Sequence, residues 1–313
     1  VLTRIASSHI RIGTFQYFAA RNDQDAVRTL ADHVIARHYP DISNSTQPHR
    51  ALLAQVIARQ AYLVARWMQV GFIHGVMNTD NVSIAGETID YGPCAFIDAY
   101  DPGAVFSSID QAGRYAFANQ PSIALWNLTR LAECLLPLLD DDTDKAVDIA
   151  KEELGQFSGA FNAAYLSGMC AKLGIPATAD DTLISEFLTL LATQSVDYTL
   201  AFRRLCDAAD NDVSDLKTMF SEPAALDAWI EKWRQQRGKN APDGTTMRTV
   251  NPIYIPRNHR IEAAIAAGVQ GNFGPFEELN AALANPYSSD PRFATYAAPP
   301  RPEELVTQTF CGT

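Results

Sequence analysis

The sequence predicts an α+β fold in which helices predominate, and three observations support this prediction. Apolar residues recur at helical spacing in residues 51–70, and residues 122–206 are mainly helical by the same criterion. Between these regions, residues 72–92 contain few helix formers and many glycine, asparagine and β-branched residues, a composition typical of short strands and turns. The chain has 313 residues, of which 47% are hydrophobic, so it can bury a sizeable core as one large domain or two ordinary ones.

The individual elements are predicted from local patterns along the chain. The strongest is the helix at residues 51–70, which Gly71 ends, because glycine is common just past the last turn of a helix. The acidic run at residues 140–142 is typical of a solvated connection between helices. The other predicted elements are a strand (1–5), two helices (15–21 and 25–38), two short strands joined by a turn (82–84 and 88–90), a loop (98–113), an exposed loop (237–246) and an irregular tail from residue 286.

Charge and cysteine content exclude several classes of function. The net charge is −11, with 25 basic and 36 acidic residues, which argues against nucleic acids and anionic membranes as partners because both need a basic surface. The five cysteines show no C-x-x-C spacing, so a dense disulfide framework and a standard zinc site are excluded. No apolar run approaches the length of a membrane span, and we expect a cytoplasmic protein with free thiols.

A polar run before the predicted turn contains the groups that could carry chemistry. The run from His74 to Asn81 (HGVMNTDN) is followed, nine residues after Asn81, by Asp90 in the run DYG. An amide oxygen and a carboxylate on either side of a tight turn can converge on one Mg²⁺, which takes few protein oxygens and completes its shell with phosphate oxygens and water. Asp80, beside Asn81, could act as a general base or as a further ligand. Taken alone, such a cluster is more typical of a turn network.

The spacing of these residues agrees with the catalytic loop of protein kinases, with one departure. In the pattern H-R-D-L-x-x-x-N the asparagine stands seven residues after the histidine, as Asn81 does after His74, and a D-x-G carboxylate for metal follows. Val76 occupies the position of the kinase aspartate and can neither accept a proton nor bind metal. We therefore expect Asp80 to act as the base from a different position in the loop.

Five stretches of the sequence resemble the selenoprotein O family, from one end of the chain to the other. They are GFIHGVMNTDNVSIAGETIDYGPCAFIDAYDPG (71–103), VLTRIASSHIRIGTFQYFA (1–19), QAGRYAFANQP (111–121), NPIYIPRN (251–258) and PRFATYAAPP (291–300). The resemblance implies a protein-kinase-like fold in a group long regarded as pseudokinases. It also implies a protein adenylyltransferase that binds ATP in a reversed orientation and passes AMP to a Ser, Thr or Tyr hydroxyl of a target protein.

The resemblance also implies roles for single residues. Asp80 matches the proton acceptor of the family, and Asn81 and Asp90 match its Mg²⁺ ligands, with Mn²⁺ as the alternative metal. Asp90 is also expected close to the nucleotide. Arg4 and Arg11 match two arginines that contact the ATP phosphates, a role that suits the planar guanidinium group.

The cysteine third from the end of the chain, Cys311, stands where the family has selenocysteine or cysteine linked to redox control. An exposed cysteine in a tail is a reasonable thiol switch. The nearest candidate for its partner is Cys94, in the loop that follows DYG. The resemblance therefore implies Cys94 and Cys311 as possible redox residues.

The predicted division of the chain follows from what the resemblance leaves unmatched. The Gly-rich phosphate loop and the V-A-I-K strand of kinases belong to an N-terminal lobe, and neither pattern occurs in this sequence, which begins in a strand-like run at Val1. We therefore expect a kinase-like C-terminal lobe with a short β-hairpin at the catalytic loop (1–240) and a C-terminal extension packed on it (241–313). The nucleotide-clamping lobe is expected to be missing, so that this chain alone is inactive.

Two alternatives to the adenylyltransferase stay open at this point. One is a non-catalytic kinase-like module that binds a protein partner. The other is an ATP-dependent phosphotransferase of the aminoglycoside or choline kinase type, which Val76 disfavours because those enzymes have an aspartate there. The expected partners of an adenylyltransferase are ATP and proteins that bear Ser, Thr or Tyr, with neither nucleic acid nor membrane.

Overall fold

Helices dominate the computed structural model, which describes residues 5–179, 181–238 and 241–310. A small antiparallel sheet pairs β1 (Phe72–Ile73) with β2 (Ala95–Phe96). The prediction of a mostly helical α+β fold is therefore confirmed. The helices of the described residues are α1 (Ile12–Ala19), α2 (Gln24–His38), α3 (Pro48–Val70), α4 (Gln120–Leu139), α5 (Thr143–Leu173), α6 (Thr182–Thr193), α7 (Tyr198–Ala209), α8 (Ser214–Thr218), α9 (Pro223–Arg237), α10 (Gly244–Arg248), α11 (Asn258–Val269), α12 (Gly274–Leu283) and α13 (Ala294–Ala297).

Helix α3 is the centre of the first half of the fold, and it packs against both α4 and α5. It begins at Pro48, three residues before its predicted start, because proline is well suited to the first turn, where its missing N–H costs nothing. It ends at Gly71, whose φ of 75° is left-handed and reverses the chain into β1. The long helix predicted here is confirmed.

The acidic run at residues 140–142 connects α4 to α5, as predicted. The Asp142 carboxylate accepts hydrogen bonds from the backbone amides of Asp144 and Lys145, so it caps the start of α5. Helix α5 then runs for 31 residues and ends at Gly174, which is again left-handed. The long helix thereby reaches from the first half of the fold to the second.

The predicted hairpin of strands 82–84 and 88–90 is wrong as a regular element, because only one antiparallel bridge, between Val82 and Thr88, joins the two runs. The second run ends in a left-handed residue, Asp90, at a φ of 55°. The regular sheet forms instead from β1 and β2, on either side of this turn.

Residues 82–84 find their main backbone partners at residues 10–12. The Ile12 amide donates to the Val82 carbonyl at 3.1 Å, and the Ile84 amide donates to the Ile10 carbonyl at 3.0 Å. The other predicted strand, residues 1–5, lies almost wholly outside the described residues. The segment just before α1 is therefore tied directly to the polar turn.

The second half of the fold has its own core. One buried cluster is built mainly from α1–α5, a second mainly from the end of α5 together with α6–α9, and a third, smaller one from α12, α13 and the segment before α11. Arg257, which is fully buried, joins these parts: it pairs with Asp98 in the loop after β2 and with Asp197 at the start of α7, 2.8 Å away. Its Nε donates to the carbonyl of Ala297.

Residues Phe117–Leu139 correct the expectation that no apolar run reaches the length of a membrane span. This stretch has 23 residues and contains an 18-residue window with a mean hydropathy of 1.2, so it passes by length and composition. Its helix α4 nevertheless packs against α1, α3 and α5, and Leu128, Leu131 and Leu135 are fully buried there. Such burial is typical of a core helix of a folded domain.

Candidate active site

The catalytic loop predicted from the sequence forms a single 3-10 turn, Thr79–Asn81, that begins after Asn78. The Asn78 side chain accepts a hydrogen bond from the Asp80 amide at 3.0 Å, and its carbonyl accepts one from the Asn81 amide at 3.0 Å. Asn78 thus forms the turn network, while the side chain of Asp80 is left exposed at its tip. A turn network and a catalytic carboxylate are therefore compatible in this loop.

The side chain of Asn81 has a fixed orientation. Its Nδ2 donates to the Val76 carbonyl at 2.9 Å, which leaves the amide oxygen as the atom that could bind a cation. Asp90 supplies the second oxygen donor from the far side of the turn, and the bridge between Val82 and Thr88 brings the two ends of the turn together. Two oxygen donors suit Mg²⁺, which leaves most of its coordination shell to phosphate and water.

His74 links the catalytic loop to the backbone just before Asp90 from inside the fold. It is fully buried, and its Nε2 donates to the Ile89 carbonyl at 2.8 Å, directly before Asp90, while its Nδ1 accepts from the Val76 amide at 3.4 Å. Burial lowers the pKa of His74, so the imidazole is neutral in this position. Its role is structural: it holds the loop and the Asp90 backbone at a fixed separation.

Arg11 meets Asp90 directly. Its Nη2 lies 3.1 Å from Asp90 Oδ2, and both side chains are about one-third exposed, at 35% and 27%. Arg11 forms a backbone bridge with Ser83 and stands immediately before the first turn of α1. The guanidinium group is therefore held next to the expected metal ligand, where phosphate oxygens would gather.

Gly13 brings the first turn of α1 against Asp80, a contact that the sequence did not reveal. A Cβ atom added at Gly13 would lie 2.0 Å from Asp80 Oδ1 and 3.0 Å from Asp80 Cγ. Residues 11–13 thus touch both carboxylates of the site, Asp90 through Arg11 and Asp80 through Gly13. A glycine in the first turn of an apolar helix was the only local signal of this contact.

Side-chain amides on the flanking helices support the loop from within the core. Gln120 accepts from the His74 amide at 3.0 Å and donates to the Phe72 carbonyl at 3.0 Å, and Asn127 donates to the Met77 carbonyl at 2.8 Å. Both are fully buried on α4. Neither residue was predicted from the sequence, although polar residues on the apolar face of a helix are a usable signal.

Four of the predicted site residues lie in this arrangement, namely Arg11, Asp80, Asn81 and Asp90. Arg4 lies outside the described residues. Within the described part of the chain, no three His, Cys, Asp or Glu side chains form a ready-made metal cluster, so a cation here would depend on oxygens beyond the protein's own carboxylates.

Cys94, the predicted redox residue, is a partly buried free thiol next to Pro93. Burial raises its pKa to about 11, which makes the thiolate scarce at neutral pH. The Thr309 hydroxyl donates to the Pro93 carbonyl at 2.5 Å, so the tail of the chain reaches the neighbour of Cys94. Cys311 lies outside the described residues, and its pairing with Cys94 stays a prediction.

Several known proteins are similar to this chain over its whole length. A protein nucleotidyltransferase YdiU from Rhodopseudomonas palustris (strain HaA2) is 60% identical over 322 residues, which cover 100% of this chain and 65% of the relative. The corresponding proteins of R. palustris (strain BisB5) and Bradyrhizobium sp. (strain BTAi1) are 61% and 57% identical, with the same coverage. This chain therefore spans 65% of the length of these curated relatives.

The sequence pattern of one protein family matches most of the chain. It is described as protein adenylyltransferase SelO, and the match covers residues 1–284, which include residues 11–13, the loop at 74–81 and Asp90. Together with full-chain identities near 60%, this match shows that the chain belongs to the SelO family.

Proposed function

We propose that this chain carries the catalytic loop of a protein adenylyltransferase, which transfers AMP from ATP to Ser, Thr or Tyr hydroxyls of target proteins. The observation that carries the proposal is the meeting of Asp80, Asn81, Asp90 and Arg11 around the first turn of α1. The description of the family and the name of the relatives support the same reaction. The finer fold assignment, a protein-kinase-like C-terminal lobe, is part of this proposal.

Asp80 is the proton acceptor in this mechanism. Its carboxylate is exposed at the tip of the 3-10 turn, where a target hydroxyl can reach it, and Gly13 limits its freedom on one side. The hydroxyl oxygen attacks the α-phosphorus of ATP, the bond from that phosphorus to the oxygen bridging the β-phosphate breaks, and pyrophosphate leaves. The hydroxyl proton passes to Asp80.

Arg11 and the metal ligands compensate the charge of the phosphates. Arg11 offers guanidinium N–H groups beside Asp90, a position suited to oxygens of the leaving pyrophosphate, and Arg4 is proposed for the same task. Asn81 and Asp90 would hold Mg²⁺, or alternatively Mn²⁺, which when bound supplies positive charge to the phosphate oxygens. His74 keeps the two ligands in register through its bond to the Ile89 carbonyl.

Labelled ATP tests this function. The intact gene product is incubated with a protein extract and ATP labelled at either the α- or the γ-phosphate. Label from the α-phosphate on protein supports AMP transfer, and label from the γ-phosphate on protein would instead identify a kinase. If neither label reaches protein, the chain is better described as a binding module.

Variants assign the label to this site. Asp80→Asn should abolish transfer of the α-label while ATP binding persists, and Asp90→Ala should lose both because a metal ligand is removed. Asp148→Asn is the matched control, since Asp148 lies on the surface of α5 with its side chain 80% exposed. Full transfer by Asp80→Asn would exclude Asp80 as the proton acceptor.

A small-molecule phosphotransferase is the weaker second candidate. Val76 contributes only backbone groups to the loop, its amide to His74 and its carbonyl to Asn81, so no carboxylate occupies the position of the kinase base. For the adenylyltransferase, we propose that the reaction takes place in the cytoplasm, with ATP and hydroxyl-bearing proteins as partners.

A further inference from the structure

The last described residues of the chain pair as a strand with the loop that follows β2. The Thr309 amide donates to the Phe106 carbonyl at 2.7 Å, and the Ser108 amide donates to the Thr309 carbonyl at 3.0 Å. Thr309 and Ser107 form a parallel bridge. We call residues 305–310 the tail and residues 106–108 the docking edge.

The tail is held by its backbone more than by its side chains. Leu305 is 59% exposed and Phe310 is 68% exposed, and Thr307 is exposed as well. Such a segment buries little apolar surface, so opening it costs little free energy. Backbone pairing with exposed side chains also means that a different extended segment could take the same place.

The docking edge leads to the catalytic loop. The Thr309 hydroxyl donates to the carbonyl of Pro93, which stands three residues after Asp90. The same carbonyl would lie 2.8 Å from a Cβ atom added at Gly75, which is next to His74. An extended segment bound in the place of Thr309 would therefore lie close to the start of the loop, at Gly75, five residues before Asp80.

A groove beside the docking edge contacts the other end of the tail. It has a volume of about 440 Å³, and its walls include Tyr100, Ala104 and Phe106 together with Leu305 and Val306 of the tail itself. At the edge, the Ser107 hydroxyl is buried and has no hydrogen-bond partner among the described residues. The edge therefore offers apolar contacts at one end and an unused hydroxyl at the other.

We propose that the docking edge binds an extended segment of the target protein, and that the tail occupies this place as an intramolecular competitor. This inference rests on the proposed function and names how that enzyme would hold its substrate. The segment would resemble the tail, with two adjacent aliphatic residues followed three positions later by a β-branched residue, as Leu305, Val306 and Thr309 are arranged. It would pair parallel to residues 106–108.

A peptide-binding experiment tests the docking edge without any enzyme activity. The probe is a fluorescein-labelled synthetic peptide with the sequence of residues 303–310 (EELVTQTF), followed by fluorescence polarisation. Thr309→Pro removes the amide that binds the Phe106 carbonyl, so the tail should leave the edge. This variant should bind the probe about tenfold or more tightly than the unaltered chain, whose tethered tail competes at high effective concentration.

Two further variants make this result decisive. Thr307→Pro is the matched control, because the Thr307 amide donates to no group among the described residues, and it should keep the weak binding of the unaltered chain. A chain that ends at Glu304 should bind as Thr309→Pro does, which guards against a folding defect of the proline variant. The proposal would be overturned if the unaltered chain and the three variants bound the probe with equal affinity. It would also be overturned if neither Thr309→Pro nor the chain that ends at Glu304 bound the probe.

The link to the target protein is tested in the intact gene product. The unlabelled peptide should inhibit transfer of the α-label competitively with the target protein but not with ATP, and Thr309→Pro should lower KM for the target with little change in kcat. Inhibition competitive with ATP would overturn the proposed role of the edge. If neither the unaltered protein nor any variant transfers AMP, the proposed function fails. The peptide-binding result then still decides whether the docking edge binds an extended segment.

Discussion

At the scale of single residues, Gly13 and Asp80 give the sharpest test of the site. A methyl group at Gly13 would lie 2.0 Å from Asp80 Oδ1 but 3.4 Å from the Asp80 backbone, so only the carboxylate has to move. We expect Gly13→Ala to leave the melting temperature close to that of the unaltered protein. Transfer of the α-label by the intact gene product should fall about 10- to 100-fold, since displacing a reacting group by roughly 1 Å has this effect.

The control for Gly13→Ala is a glycine without neighbours. Gly159 lies on α5, and a Cβ atom added there meets nothing within 4 Å. Gly159→Ala should keep full activity and stabilise the protein by roughly 0.5–1 kcal/mol, because alanine loses less conformational entropy in a helix. Wild-type rates of transfer by Gly13→Ala would show that the position of Asp80 is not critical.

The residues of the site differ in how far the sequence revealed them. The sequence predicted that His74, Asp80, Asn81 and Asp90 belong to one loop and turn, because their spacing along the chain is itself the signal, and their catalytic roles stay predictions. Gly13 was visible only as a glycine in the first turn of a helix, because its contact with Asp80 exists only once residues 10–12 pair with residues 82–84. Long-range backbone pairing of this kind leaves no periodic pattern in the sequence.

At the scale of elements, Arg257 attaches the segment before α11 to the loop after β2 and to the start of α7. Its guanidinium group is fully buried between Asp98 and Asp197, and Asp197 also caps α7 through the Leu200 amide at 2.8 Å. We expect Arg257→Met to lower the free energy of unfolding by about 3–5 kcal/mol, because two buried carboxylates lose their cation. Urea unfolding at pH 7 measures this loss.

The loss of stability caused by Arg257→Met should become smaller as the pH falls. Burial already raises the pKa of Asp98, against the lowering effect of Arg257, and removing Arg257 raises it further. The folded variant then binds protons more readily than its unfolded chain, so its stability relative to the unaltered protein should recover as the pH falls toward 5. Arg292→Met, at an exposed arginine, should show neither effect. Equal losses in both variants would contradict a special role for Arg257.

The helices were easier to predict than the strands for a physical reason. Helix α3 is stabilised by contacts between residues three and four apart, so its apolar face and the glycine at its end are visible locally. The predicted hairpin failed because residues 82–84 pair mainly with residues 10–12, while Asp90 turns away at a left-handed φ. Strand partners are chosen by the whole fold, and a short polar turn does not encode them.

At the scale of the whole molecule, the site depends on residues 11–13 and on two segments that lie more than 60 residues later, the loop at 74–81 and residues 89–90. The apolar cluster of α1–α5 carries them, and the buried amides of Gln120 and Asn127 fix the loop to α4. The tail adds a fourth segment at Pro93. The site is therefore assembled by the fold and not by one continuous stretch of the sequence.

The pH dependence of global stability should be governed in part by one buried lysine. Lys172 lies near the end of α5, only 4% exposed, with its Nζ 4.3 Å from the ring centroid of Phe202 and 5.6 Å from that of Tyr198. Burial lowers its pKa to about 7, partly opposed by the neighbouring Cys206. The amine is therefore substantially neutral in the folded protein at pH values where the unfolded chain keeps it charged.

The sign of the resulting pH effect follows from proton binding. Between pH 7 and the ordinary lysine value of 10.5, the unfolded chain binds more protons at Lys172 than the folded protein does, so this lysine makes stability rise with pH, by at most about 1.4 kcal/mol per pH unit.

Lys172→Met removes this contribution. Urea unfolding from pH 7 to 10 should show the variant more stable at pH 7, with the difference shrinking as the pH rises. Lys145→Met, at an exposed position of α5, should follow the unaltered protein throughout. Parallel curves for Lys172→Met and the unaltered protein would mean that Lys172 has the same proton affinity in the folded and unfolded states, and therefore that water reaches its amine inside the fold.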